Sequence, residues 1–289
     1  MMCINFNKFR RHLYKLLSKV CLKQVESNYL GLKLKVPILH GIGAGHLVPG
    51  DNWMSDCLGV FLQKKSGAVV DIGVNIGLYL IKLKAMDQSR RYIGFEPNAS
   101  CNYYTQELIR VNNFKNVSIL PFALSSKKEL RSFYVRKNAD KMGSLNDFAR
   151  LGEEGKYLFD LFTFPADDFF GKMNLESLCV IKIDVEGAEQ EVLQGITGTI
   201  KKYKPYIFCE IWSIPDVDHV TYDEKIERLK SIYDILKNLQ YKILGVSSKD
   251  FTDIKVLDTI DSFNGEFRMD YIFVHESEAD DLRQKLIEI

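Results

Sequence analysis

The chain has 289 residues, 46% hydrophobic and 27% charged, enough to bury a sizeable core and too apolar for a disordered chain. Lys and Arg number 39 against 38 Asp and Glu, a net charge of +1, so the basic excess typical of a nucleic-acid-binding surface is missing. Cys3, Cys21, Cys57, Cys101, Cys179 and Cys209 are scattered without a C-x-x-C pair, which removes zinc spacing and a disulfide framework and leads us to expect a reducing cytoplasm.

Between Asn7 and Gln24 the cations Lys8, Arg10, Arg11, Lys15, Lys19 and Lys23 occur with no acid, while Phe9, Leu13, Leu16, Leu17 and Val20 recur at helical spacing. The pattern predicts an amphipathic helix. It either docks on the rest of the chain or makes a peripheral contact with an anionic membrane surface. Its cations interrupt any signal-peptide core, and no apolar run reaches the roughly 18 residues that span a bilayer. A Gly-rich loop, Gly41-Ile42-Gly43-Ala44-Gly45-His46, precedes a predicted helix over Trp53–Lys64. Residues 1–66 thus read as an N-terminal helical extension with a loop. Trp53 and Met54 read either as core or as a lid.

From Gly67 strands and helices alternate. Strands are expected at Ala68–Ile72, Arg91–Glu96, Val117–Pro121, Leu178–Asp184, Tyr206–Glu210, Tyr241–Leu244 and Met269–Val274. Helices are expected at Leu78–Ala85, Ser100–Val111, Gly187–Leu193 and Tyr222–Leu239. Such alternation predicts a mostly parallel sheet with helices on both faces, a Rossmann-like α/β domain over residues 67–289. Ser125–Phe170 breaks the rhythm and reads as a hairpin and loops. Cys179 and Cys209, inside apolar runs, read as small buried hydrophobes.

Doubly wound sheets bind ligands at the carboxyl ends of their strands. The first strand here ends in Asp71-Ile72-Gly73-Val74-Asn75-Ile76-Gly77, where Gly73 permits a tight turn and Gly77 close approach of the next helix. The second ends at Glu96-Pro97-Asn98, with an acid placed to accept hydrogen bonds from a ribose diol. A dinucleotide site wants G-x-G-x-x-G and amides aimed at a pyrophosphate. Here D-x-G-x-x-x-G carries a carboxylate that would repel one and attract an ammonium group, directly or through water. The charge logic favours S-adenosylmethionine over NAD. Asp71, Gly73, Asn75, Gly77, Glu96, Pro97, Asn98 and Ala123 are the candidate cofactor-binding residues.

These runs, together with Ile181-Lys182-Ile183-Asp184-Val185-Glu186-Gly187-Ala188-Glu189 and Pro205–Glu210, resemble the FkbM-type methyltransferases over roughly Gly67 to Glu210. The resemblance implies a seven-stranded class I methyltransferase fold, S-adenosylmethionine, and O-methylation of sugars or other polyhydroxylated acceptors, with a glycan or glycolipid as partner. Val74, where the family usually has Ala, and Ala166 before Asp167 are small departures. Gly143-Ser144-Leu145 reads as an ordinary turn, with a weak resemblance to an acceptor-side element of the family.

Methyl transfer needs an aligned nucleophile and removal of its proton. Asp184 is the leading base, being at a strand's carboxyl end. Glu186 is a second candidate, and His46 and His219 are rival bases. Glu186 and Glu189 also suit a helix N-terminus. Lys182, inside a buried strand, is expected to pair with a carboxylate. The acids Asp184, Glu186, Glu189 and Glu210 offer oxygen ligands for a hard cation, but no spacing dictates a metal. Two other readings stay open, a nicotinamide-dependent enzyme on the same fold and a non-catalytic nucleoside-binding module.

Overall fold

Two largely apolar runs, Ala68–Ile72 and Leu178–Ile183, each broken by one charged residue (Asp71 and Lys182), form adjacent parallel strands that are buried at every residue, as strands covered on both faces must be. They lie at the centre of a computed structural model that describes residues 23–39, 42–47, 53–135, 143–145, 157–214, 219–247, 253–260, 263, 267 and 269–288. The predicted basic helix at residues 7–24 lies outside the described residues except at its last two positions.

The chain begins with a hairpin, β1 (Gln24–Tyr29) and β2 (Leu32–Pro37), and a 3-10 turn over Ala44–Leu47. Helix α1 (Trp53–Lys64) leads into β3 (Ala68–Ile72), α2 (Leu78–Met86), β4 (Tyr92–Phe95), α3 (Ala99–Asn112) and β5 (Val117–Leu120). A side structure follows, of β6 (Ala123–Leu124), β7 (Glu129–Val135) and β8 (Tyr157–Phe164). After α4 (Asp167–Phe170) come β9 (Leu178–Ile183), α5 (Glu189–Gln194), α6 (Thr197–Tyr203), β10 (Tyr206–Glu210) and α7 (Tyr222–Asn238). The chain closes with β11 (Tyr241–Val246), β12 (Ile254–Leu257), β13 (Asp270–His275) and α8 (Ala279–Ile287).

The main sheet has the order β12-β11-β13-β10-β9-β3-β4-β5. From β5 through β10 all neighbours are parallel, and β13 and β12 run against the rest. This corrects the expected seven-stranded sheet. The eighth strand is β12, four residues long and interrupted by exposed Lys255, too short and too mixed to announce itself in the sequence. The irregular section forms its own three-stranded sheet, with β8 between β6 and β7.

Before residue 66 the described part begins with the β1–β2 hairpin, unexpected from the sequence; its Leu34, Val36 and Ile38 pack on Ile81, Tyr104 and Leu108 of α2 and α3. The Asn112 side chain locks it by accepting from Lys35 N (2.8 Å) and donating to Lys35 O (2.7 Å). The hairpin explains why α2 is buried on nearly every side, Lys82 and Lys84 included, since its other side faces the sheet. Trp53 is core, its ring centroid 6.4 Å from that of Phe208.

Alternate residues of the central strands feed two cores. Val70, Ile72, Ile181 and Ile183 meet α5, α6 and α7 on one face. Val69 and Val180 meet α1, α2 and α8 on the other. Cys179 and Cys209 are both fully buried. The chain leaves β3 towards β4 and β5 and returns on the opposite side through β9, so strand order reverses beside β3. Ligand crevices of open α/β sheets form at this point.

Candidate active site

A cleft of about 590 Å³ opens at the carboxyl ends of β3, β4 and β9. Gly73 and Asn75 form one wall, Glu96, Pro97 and Asn98 the second, and Asp184 and Glu186 the third. Ala123 lies at its edge beside Phe122. Eight sequence-predicted residues thus come together.

The turn after β3 is held by its backbone. Gly73 has φ +88°, and a Cβ there would stand 1.8 Å from the carbonyl oxygen of Asp184. Only glycine lets the turn pass this close to the end of β9. Asn75 is also left-handed, at φ 54°, a conformation that asparagine tolerates. Its amide donates to Glu96 Oε2 at 2.6 Å, and the Asn98 amide donates to Oε1 at 2.8 Å. Each Glu96 oxygen keeps lone-pair capacity towards the cleft. Burial lifts this carboxyl from 4.5 to about 7 against the pull of the two amides.

Asp71 is a correction. It does not line the cleft, and it is fully buried. Tyr92 Oη donates to its Oδ2, and Lys182 Nζ lies 3.2 Å from its Oδ1. Strand alternation explains this, since its neighbours Ile72 and Val70 take one face and Asp71 the other. Its charge answers Lys182 inside the protein, and burial raises its pKa. Gly77 also stays off the lining, at the N-terminal end of α2 with φ 82°.

Lys182 is the hub that sequence reading left half-drawn. Its ammonium lies 3.1 Å from Asp184 Oδ2 and donates to Gly73 O at 2.9 Å, besides facing Asp71. Burial works against this charge, but Asp184 and Asp71 outweigh it and hold the pKa above that of an ordinary lysine. One buried cation therefore joins the cofactor turn to the acid at the end of β9. The Asp184 carboxylate is the more accessible partner, with 31% of its side chain exposed. Beyond it, burial first and the neighbouring Asp184 next raise Glu210 to about 9. The two side chains share a hydrogen bond, so the acids at the ends of β9 and β10 face each other directly.

His46 is also corrected. It is buried, its Nε2 lies 2.9 Å from the Ile76 carbonyl, and its ring packs 5.8 Å from Tyr104. It braces the cofactor turn from outside the cleft. His219 is exposed and bonds Thr221 at the start of α7. Glu189 accepts from Gly187 N at 2.9 Å and lies outside the cleft. Gly143 and Leu145 form part of the cleft wall, and Ser144 Oγ donates to the Glu186 carbonyl at 2.7 Å. This turn does more than reverse the chain. Phe122 and Phe133 also line the cleft, and no sequence signal distinguished them from the other aromatic residues of the irregular section.

Three carboxylates and no lysine or arginine line the cleft among the described residues. A pyrophosphate would meet repulsion there, whereas a sulfonium and an ammonium group would meet attraction. The sequence model described as the methyltransferase FkbM domain matches residues 71–243. The chain belongs to the FkbM methyltransferase family.

S-adenosylmethionine is its cofactor. A curated relative, methyltransferase sdnD of Sordaria araneosa, is 27% identical over 170 residues. That match takes in 50% of this chain and 66% of sdnD, so the chain spans less than two thirds of the relative's length. Among solved structures, methyltransferase FkbM from Methylobacillus flagellatus is similar at 17% identity and TM-score 0.43, covering 73% of this chain and 44% of that one. An O-methyltransferase from Bacillus cereus is similar at 11% identity and TM-score 0.45, covering 94% and 91%. No helix among the described residues is long and apolar enough to cross a membrane.

Proposed function

We propose that this methyltransferase transfers its methyl group to a hydroxyl of a sugar, glycan or related polyhydroxylated acceptor. The supporting observation is the placement of Asp184. It lies across the central strand from Glu96, ion-paired, partly exposed and facing the cleft. S-adenosylmethionine supplies an electrophilic methyl group when bound. Glu96 would accept from the ribose hydroxyls, and the turn at Gly73 and Asn75 would hold the methionine end. Lys182 holds Asp184 towards the cleft. Asp184 would accept the hydroxyl proton as the acceptor oxygen takes the methyl group and the methyl–sulfur bond breaks, its electron pair staying on sulfur.

Asp184→Asn keeps size and one acceptor oxygen but removes the charge. We expect it to retain cofactor affinity by calorimetry while transfer falls about 10²–10⁴-fold. A screen of glycans and glycolipid precursors with a labelled methyl donor supplies the acceptor for this assay. Normal transfer by a folded Asp184→Asn would remove the base from this position.

A further inference from the structure

A second cavity, of about 370 Å³, adjoins the end of the segment that carries Asp184 and Glu186. Gly187, next in the chain to a residue of the first cleft, forms part of its wall, with Trp212, Lys225, Arg228 and Leu229 opposite. Arg228 is fixed there, donating to Glu191 Oε1 at 2.9 Å and to the Gly187 carbonyl at 2.8 Å. Lys225 is different. Its Nζ stands 5.3 Å from the centre of the Trp212 ring, and no carboxylate or carbonyl meets it among the described residues. Other half-buried cations do find carboxylates, as Lys65 finds Glu278 and Arg90 finds Asp87. Burial pulls the Lys225 pKa down, because its ammonium is partly stripped of water. The one acid in the wall, Glu189, turns an oxygen onto the Gly187 amide.

We propose that this cavity is an anion subsite for the methyl acceptor, holding a carboxylate or phosphate on Lys225 with the ring of the acceptor against Trp212. The proposal rests on the acceptor reading above and narrows it from polyhydroxylated compounds to those bearing an acidic group. A hydroxyl on the same molecule then reaches Asp184 over the short step from Gly187 to Glu186. Arg228, ion-paired with Glu191, keeps the wall in place.

Trp212 is one of two tryptophans, and the other, Trp53, is buried in the core, so fluorescence quenching of the full chain reports this cavity. Glucuronate, glucosyl phosphate and methyl glucoside are titrated in low salt. At least one of the two anionic sugars is expected to bind about tenfold or more tighter than the neutral one, the strength of a charge-assisted hydrogen bond. The better of them identifies the anion. Lys225→Gln should abolish the preference while leaving S-adenosylmethionine affinity unchanged. Equal binding of all three, binding of none, or a preference that survives in Lys225→Gln overturns the proposal. Failure of the wild-type chain to transfer methyl to any hydroxylated acceptor would instead overturn the broader reading, because the subsite assay needs no transfer.

Discussion

Glu96 and Asp184 are both carboxylates at strand ends, and their surroundings prepare them for different tasks. Glu96 is almost wholly buried and ties two backbone amides, so its geometry is set before any ligand arrives. Glu96→Ala is expected to weaken S-adenosylmethionine binding by about 1.5–3 kcal/mol, measured by calorimetry. With its carboxyl lifted to about 7, the ionised acceptor is lost as pH falls through that value. Cofactor affinity should therefore decline from pH 8 to pH 6, and Glu96→Gln should flatten the decline. Lys182 serves three acceptors at once. Lys182→Met leaves Asp71 buried and uncompensated, an expected loss of about 3–5 kcal/mol in urea unfolding. Adding Asp71→Asn should recover part of it, because the two effects are coupled.

At the scale of elements, the turn after β3 and the end of β9 are built as one piece. Gly73→Ala forces a side chain into left-handed backbone, worth about 1–2 kcal/mol, and drives it into the Asp184 carbonyl. Both melting temperature and cofactor affinity should fall, since the clash displaces the cleft wall itself; unchanged affinity would separate the turn from the cofactor. The β1–β2 hairpin behaves as a cover for α2. Leu34, only 1% exposed, anchors it. Leu34→Ala should cost about 2–5 kcal/mol of stability in urea unfolding with little change in cofactor affinity, because the hairpin touches α2 and α3 rather than the cleft.

Across the whole molecule, several acids are held above their ordinary values by burial. Glu96 and Glu189 stand at about 7 and Glu210 at about 9. Between an ordinary carboxyl value and these, the folded chain keeps protons that the unfolded chain has released. Stability contributed by these groups is therefore present at low pH and is lost as pH rises, from 4.5 to about 7 for Glu96 and Glu189. Melting temperatures across that window should show a smaller decline in the Glu96→Gln/Glu189→Gln variant than in wild type.

The strand-helix alternation, the turn at Gly73 and the acids at Glu96 and Asp184 were legible in the sequence, because period and strand-end position are local properties. What folding decided was which side of a strand each charge faces. Asp71 and Asp184 look alike as acids near strand ends, yet one is sealed with Tyr92 and Lys182 and the other reaches the cleft. His46 reads as an exposed loop histidine, but the hairpin and α3 close around it. Lys182 meets Gly73 across 109 residues, and Glu210 meets Asp184 from the neighbouring strand. Contacts of that separation are set by the registers of β3, β9 and β10, which arise from packing two hydrophobic faces at once. No single stretch of sequence carries that information.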